Sequence, residues 1–86
     1  MSLLSENVIP GNHGKVFSTN AAEKKDLDRI KKRLLELDGI KDVKVNFNIY
    51  PIEITVHTSK LVSVENIENK VKITGYHAIP KGIFPL

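Results

Sequence analysis

Two carboxylates, Glu23 and Asp26, stand three residues apart near the start of a helical pattern, with two lysines between them. Carboxylate oxygens bind hard cations such as Mg²⁺ and Ca²⁺, which need about six oxygen ligands. Two side chains supply too few, and the lysines oppose the capture of a cation by Coulomb repulsion. Because a helix N-terminus favours negative charge, we interpret both acids as residues that stabilise a helix start.

The three histidines are the other side chains that could bind a metal, since a neutral imidazole is a common ligand. His13, His57 and His77 lie far apart, and none makes the i, i+4 or His-x-His spacing of a local site. The chain has no cysteine, which excludes disulfides, thiolate catalysis and every cysteine-based metal site. We therefore expect no metal site and interpret each histidine as a surface or edge residue.

No pattern for catalysis or for a cofactor accompanies these residues. There is no glycine-rich phosphate loop and no nucleophile elbow, so we expect neither an enzyme nor a bound cofactor. A net charge of +3 is weak for a nucleic-acid binder. No apolar run approaches the roughly 20 residues of a membrane span. We expect neither a nucleic acid nor a membrane as partner and, without an export signal, a cytoplasmic location.

The first helix, which must position Glu23, is predicted over about 21–37 by a hydrophobic period of 3.6 residues. Asn20 followed three residues later by Glu23 has the spacing of a capping box, with Asn in place of Ser or Thr. Gly39 is the expected helix stop. The apolar face of this helix is formed by Leu27, Ile30, Leu34 and Leu37.

Two strands follow this helix, and the alternation of apolar and polar residues indicates both. The first alternation covers 43–49 and the second covers 52–57, with a break at Tyr50-Pro51. Adjacent strands joined by a short break form an antiparallel hairpin. A shorter strand, rich in β-branched and aromatic residues, is expected at 15–19, ahead of the first helix.

A second helix follows the hairpin, with Ser63 as its N-cap and Gly75 at its end. A last strand is expected at 76–79 and is stopped by Pro80. The order βαββαβ predicts an α+β, ferredoxin-like fold, with both helices on one face of a four-stranded antiparallel sheet. The predicted core consists of Leu27, Ile30, Leu34, Leu37, Val45, Phe47, Ile54, Val56, Ile67 and Val71.

A length of 86 residues suits one domain with one core. We predict that residues 1–14 form a flexible lead-in, in which Val8-Ile9 can dock on the body. Residues 15–80 are predicted to form the domain itself. The tail, residues 81–86, is expected to pack across the body without forming an element of its own.

The spacing of the first helix resembles that of the heavy-metal-associated domain found in copper chaperones and metal-pumping P-type ATPases. In that family the second cysteine of a Cys-x-x-Cys loop is followed by apolar residues at +4, +8 and +11, glycine at +13 and a β-branched residue at +14. Counted from Asp26, these positions are Ile30, Leu34, Leu37, Gly39 and Ile40. The family's second helix ends in Gly-Tyr, matched here by Gly75-Tyr76-His77-Ala78. The resemblance covers about residues 15–80.

The same register places Glu23 and Asp26 where the family has its cysteines. Cu(I) is a soft cation that prefers thiolates, so the resemblance implies the family's fold without its copper site. Domains of this family dock on partners through the loop and the first helix. In this chain that surface carries Lys24, Lys25, Lys31 and Lys32. We expect a degenerate heavy-metal-associated-like domain, a small interaction or accessory module whose lysines steer an acidic protein partner.

Two other functions remain open at this point. A metal-handling protein could use a replacement site of Glu23, Asp26 and a histidine, completed by another subunit. A ligand-sensing regulatory domain shares the topology and could dimerise through a sheet edge. Its glycine-containing turn after the first strand is missing here, since residues 19–22 include no glycine. The sequence carries no pattern that sets the oligomeric state.

Overall fold

The structure is a computed structural model that describes residues 8–85 and, for the side chains, residues 8–81. In chain order its elements are β1 (Val8–Ile9), β2 (His13–Thr19), α1 (Lys24–Leu35), β3 (Ile40–Asn46), β4 (Glu53–Thr58), β5 (Val62–Ser63), α2 (Val64–Ile73) and β6 (Ala78–Pro85). Within residues 8–85, neither helix has the length and apolar character needed to cross a membrane. The predicted order βαββαβ is present, and two short strands, β1 and β5, are added to it.

The main sheet is antiparallel and four-stranded, with the strand order β3-β4-β2-β6. Helix α1 packs against β3, helix α2 packs against β6, and the two helices contact each other. This arrangement confirms the predicted α+β, ferredoxin-like fold. The helical period of 3.6 residues and the alternation in the strands therefore predicted elements that pack as two layers, the helices over one face of the sheet.

The core lies between the sheet and the helices. Seven of the ten predicted core residues are buried: Leu27, Ile30, Leu34, Ile54, Val56, Ile67 and Val71. Each such side chain contributes about 1.5–3 kcal/mol when it leaves water. Leu37 and Val45 are only partly buried and pack against the margin of this core.

Phe47 is the predicted core residue that the structure places outside the core, with 50% of its surface exposed. The prediction failed because β3 ends at Asn46, so residues 47–52 form the turn of the hairpin instead of extending the strand. The side-chain oxygen of Asn46 accepts a hydrogen bond from the backbone N–H of Asn48 at 2.9 Å. Asparagine makes such turn contacts readily, and here they end the strand.

The start of the chain docks on the body through a second, two-stranded sheet. Residues 1–7 of the predicted lead-in lie outside the described part of the chain. From Val8 onward, β1 pairs antiparallel with β5, and Ile9 is fully buried. The expected docking of Val8 and Ile9 is therefore confirmed. The main sheet begins at His13, two residues before the predicted start.

The last strand is longer than the sequence predicts. The sequence predicts that it stops at Pro80 and that the tail forms no element, but β6 runs from Ala78 to Pro85 along β2. The predicted stop at Pro80 is therefore wrong, and so is the prediction of a tail without secondary structure, since residues 81–85 belong to β6. Strand β6 is an edge strand of the sheet, and proline is tolerated on edge strands because only one side of the backbone needs ladder hydrogen bonds.

Candidate functional site

Three loops meet at one end of the main sheet. Strand β2 ends at Thr19, which pairs with Ala78 at the start of β6, and Ser18 pairs with Glu53 at the start of β4. The loops 20–23, 47–52 and 74–77 therefore lie at the same end, which we call the site end. The positions that match the family's cysteines belong to this end of the molecule.

Asp26 is the most buried ionisable residue of this site, with 8% of its surface exposed. One carboxylate oxygen, Oδ2, accepts a hydrogen bond of 2.7 Å from the hydroxyl of Tyr76. The other oxygen, Oδ1, lies 3.9 Å from a guanidinium nitrogen of Arg29. The carboxylate thus links the first turn of α1 to the loop after α2 by a charge-assisted hydrogen bond.

Tyr76 is the donor in this contact, and its environment favours the neutral phenol. The pKa of Tyr76 is raised above its usual value of 10.0, chiefly because its hydroxyl donates to Asp26. Desolvation and the negative charge of Asp26 act in the same direction. A phenolate would lose this hydrogen bond and would face a like charge, so this environment stabilises the neutral phenol.

Glu23 lies on the surface and makes no capping contact. It occupies the N-cap position of α1, but its side chain forms no cap hydrogen bond; Oε1 lies 3.5 Å from Nζ of Lys25. The predicted capping box is wrong, and α1 begins at Lys24, later than predicted. The side-chain oxygen of Asn20 accepts a hydrogen bond of 2.9 Å from the backbone N–H of His77, a contact between two loops. Because this amide serves the tertiary contact, it is not available to cap the helix.

The histidines do not join the two acids. Among the side chains of residues 8–81, no three of the His, Cys, Asp and Glu groups lie together in a way that could hold a metal ion. His13 contacts the carbonyl oxygen of Gly11 through Nδ1 at 2.9 Å, and His57 lies half-buried on β4. His77 is exposed at the site end, where its backbone bonds to Asn20.

Two shallow depressions adjoin each other at the start of α1. The first has a volume of about 460 Å³ and is lined by Asn20, Ala22, Glu23, Lys25, Asp26, Arg29 and Tyr76. The second has a volume of about 320 Å³ and is lined by Lys25, Asp28, Arg29 and Lys32. Lys25 and Arg29 line both depressions, so these two basic side chains form the boundary between them.

The structure divides the four predicted docking lysines between two sides of α1. Lys25 and Lys32 are seven residues apart and share a depression with Arg29, which the sequence prediction missed. We call Lys25, Arg29 and Lys32 the basic strip. Lys24 and Lys31 are also seven residues apart and lie about 100° further round the helix, since each residue turns an α-helix by about 100°. The spacing of Arg29, four after Lys25 and three before Lys32, was the signal that could have identified it.

The positive charge of the chain is concentrated on α1. This helix holds six basic and two acidic side chains, a surplus of four positive charges. The whole chain carries a formal net charge of +3, so the residues outside α1 together carry one net negative charge. The basic strip is therefore one exposed side of a helix that sets the sign of the protein's charge.

No protein-family model and no curated protein matches the chain. Solved structures do match, among them the copper(I)-loaded first domain of the human copper chaperone for superoxide dismutase, with a TM-score of 0.68 and 23% identity over 81% of this chain and 93% of that one. The apo heavy-metal-associated domain of a copper chaperone for superoxide dismutase gives a TM-score of 0.67 and 23% identity, covering 85% of this chain and 71% of that chain.

A third match is the N-terminal domain of PacS from Synechocystis PCC6803, with a TM-score of 0.67 and 16% identity, covering 80% of this chain and 97% of that one. At these identities the likeness shows the fold alone. The resemblance to the heavy-metal-associated domain, predicted from the spacing of apolar residues and glycines, is confirmed at the level of the fold.

Proposed function

We propose that this chain is a heavy-metal-associated-type domain that has lost soft-metal binding and acts as a small interaction module for an acidic protein partner. The observation that carries the proposal is the basic strip on α1, which borders a loop without any soft ligand. Neither an enzymatic activity nor a cofactor belongs to this role, and the cytoplasm is its proposed location.

The loss of copper follows from the chemistry of two positions. One structural neighbour is a copper chaperone domain in its copper(I)-loaded form. At the positions that match the family's cysteines, this chain offers the oxygens of Glu23 and Asp26. Cu(I) prefers thiolates to carboxylates. Moreover, the carboxylate of Asp26 is engaged by Tyr76 at 2.7 Å, so an internal hydrogen bond occupies this position.

The docking role follows from the state of the basic side chains. Lys25 and Glu23 are 3.5 Å apart, and both side chains are exposed, so their ion pair is worth about 0–1 kcal/mol. Lys32 is exposed, and no ion pair involves it among the described side chains. These positive groups can exchange their solvent or weak contacts for carboxylates of a partner, and long-range attraction would speed the encounter.

The test is a titration of the isotope-labelled protein with a polyglutamate peptide at low salt, followed by NMR. We expect chemical-shift changes along α1 and an affinity that falls as salt is added. Replacing two residues of the basic strip, Lys25→Glu with Lys32→Glu, should weaken binding by about tenfold. The matched control is Lys41→Glu with Lys44→Glu on β3, which makes the same change in net charge and should weaken binding by less than about threefold.

A third variant, Lys24→Glu with Lys31→Glu, identifies the side of α1 that docks. If the basic strip is the contact, this variant should lie between the other two. Equal weakening by all three pairs would mean that the peptide responds to net charge alone, which would contradict a docking surface on α1.

A further inference from the structure

Three large apolar side chains stand exposed at the end of the β3–β4 hairpin. Phe47, Ile49 and Tyr50 have 50%, 43% and 85% of their surface exposed, and we call these three residues the hairpin tip. Isolated apolar residues on a surface need no explanation, but three within four positions form a local patch. The hairpin tip belongs to the site end, where α1 and the basic strip also begin.

Hydrogen bonds hold the base of this hairpin, so the backbone next to the tip has a defined position. The backbone N–H of Thr19 donates to the carbonyl oxygen of Ile52 at 3.0 Å, which ties the hairpin to β2. Ile52 itself is buried, with 7% of its surface exposed. On the other arm, Asn48 donates its backbone N–H to the side-chain oxygen of Asn46. A pre-ordered loop loses less conformational freedom when a partner binds it.

We propose that the hairpin tip is an apolar anchor that enters an apolar pocket on the acidic protein partner, while the basic strip meets the acidic rim of that pocket. The inference rests on the proposed function and adds the chemistry of the partner's surface. Interfaces combine an apolar centre with a polar rim, and aromatic residues are enriched among those that carry the binding energy. The tip and the first residue of the strip lie at the same end of the sheet, and the proposal assigns the centre of the interface to the tip and its rim to the strip.

Charge argues against a second copy of this chain as the occupant. A tip that docks beside α1 of another copy would bring together two helices that each carry a surplus of four positive charges. Like charges at an interface oppose association, whereas an acidic surface would be attracted by the same helix.

The polar groups of the turn argue against a membrane as the occupant. Asn46 and Asn48 flank Phe47, and their amides would have to leave water if the tip entered hydrocarbon. A protein pocket can satisfy such groups with hydrogen bonds of its own, while the bilayer core cannot.

The experiment uses a displayed library of random 16-residue peptides, selected on the full chain at physiological salt. We expect selected peptides to contain both acidic and large apolar residues. Their dissociation constants should rise about tenfold or more for the tip variant Phe47→Ser with Tyr50→Ser. They should rise similarly for the strip variant Lys25→Glu with Lys32→Glu. The matched control is Leu61→Ser with Ile73→Ser, which removes two exposed apolar residues outside the tip and should change binding by less than about threefold.

The two proposals fail separately in this experiment. Peptides that depend on the strip but not on the tip would overturn the anchor and leave the proposed function standing. Peptides that depend on neither, or a selection that yields no binder, would contradict both. Tip-dependent binding of the chain to vesicles of phosphatidylcholine and phosphatidylserine, or tip-dependent dimerisation in sedimentation, would replace the acidic protein as occupant and overturn the inference.

Discussion

The two ends of the main sheet differ in what covers them, and at the end opposite the site the start of the chain docks on the neighbouring turns. There the hydroxyl of Thr58 donates to the carbonyl oxygen of Pro10 at 2.6 Å, and the backbone N–H of Ser59 donates to the carbonyl oxygen of Gly39 at 2.8 Å. Ile9 is fully buried beside these turns. These backbone groups and the side chain of Ile9 are satisfied inside the chain, which is typical of a structural region.

The site end exposes several large apolar side chains within one turn, among them Phe47 and Tyr50. Surface ion pairs occur at both ends, Lys25 with Glu23 here and Lys60 with Asp38 at the opposite end. The shielded contacts of the site end include the hydrogen bond from Tyr76 to Asp26 and, at the end of β2, the one from the backbone N–H of Thr19 to the carbonyl oxygen of Ile52. Under the proposed function, stability and partner contact are separated along the sheet, with the docked start of the chain stabilising the opposite end and the proposed contact lying at the site end.

The largest expected contrast compares one apolar truncation at each end. Ile9→Ala removes a fully buried side chain and should lower the free energy of unfolding by about 2–5 kcal/mol. Phe47→Ala removes a half-exposed one and should lower it by less than about 1 kcal/mol, as surface substitutions generally do. Urea unfolding of both variants measures the contrast. Equal losses would show that the hairpin tip is part of the structural core.

A smaller contrast compares two glycines of positive φ. Gly39 has φ +96°, and a Cβ there would lie 2.7 Å from a methyl group of Val62 and 2.9 Å from Cγ of Lys60. Gly75, at the site end, has φ +93° and no atom within 4 Å of such a Cβ. Alanine at either position should cost about 1–2 kcal/mol of backbone strain. Gly39→Ala should cost more than Gly75→Ala because neighbouring side chains must also move.

Thermal or urea unfolding of the two alanine variants gives this difference directly. An equal loss of stability at both positions would show that Val62 and Lys60 move aside freely. The packing around Gly39 would then be no tighter than the packing around Gly75.

The pKa of Tyr76 reports on its hydrogen bond to Asp26 at the site end. Asp26→Asn should lower this pKa toward 10.0, because the carboxylate is the main cause of its rise. Glu23→Gln should lower it less, since Glu23 acts only through its more distant charge. NMR titration of the Tyr76 ring in each variant measures both changes. No change in Asp26→Asn would mean that the hydrogen bond is absent in solution.

The same shift fixes the sign of a pH effect on stability. The pKa of Tyr76 is higher in the folded chain than in the unfolded chain. This group therefore contributes its full stabilisation below its unfolded pKa and loses that contribution as the pH rises through the folded pKa. The loss should be absent in Tyr76→Phe.

The smallest expected effect is at Glu23. Its side chain forms no cap hydrogen bond, so Glu23→Ala should change the free energy of unfolding by less than about 0.5 kcal/mol. Denaturant unfolding with and without Mg²⁺, Zn²⁺ or Ca²⁺ should give the same result for wild type and variant. Stabilisation of the wild type alone by one of these ions would make Glu23 a ligand.

The sequence predicted the parts of the fold that depend on long periodic patterns. Leu27, Ile30 and Leu34 repeat at helical spacing over enough turns to define a buried face, and all three are buried. The alternation that correctly gave β3 misled at Phe47, because an apolar residue in a turn looks the same as one in a strand. In the structure the side chain of Asn46 bonds to the backbone of Asn48, and this contact makes the residues after Asn46 a turn.

The candidate site depended more on contacts between distant residues. Asp26 was identified by its spacing, but its partner Tyr76 lies 50 residues away, and only the fold brings the two together. The capping box failed for the same reason, since Asn20 bonds to His77, 57 residues along the chain. Local spacing can identify candidate residues such as Asp26 and Asn20. Their hydrogen-bond partners depend on the tertiary structure.

The chain has the fold of a heavy-metal-associated domain, and we propose that it lacks that family's soft-metal binding. A competition assay against a strong Cu(I) chelator tests it most directly, on wild type and on the double variant Glu23→Cys with Asp26→Cys. Wild type should retain no copper, because it has no thiolate. The double variant should retain one Cu(I) per chain, since two thiolates on this frame restore a soft site. Stoichiometric copper on wild type, or none on a correctly folded double variant, would contradict the claim.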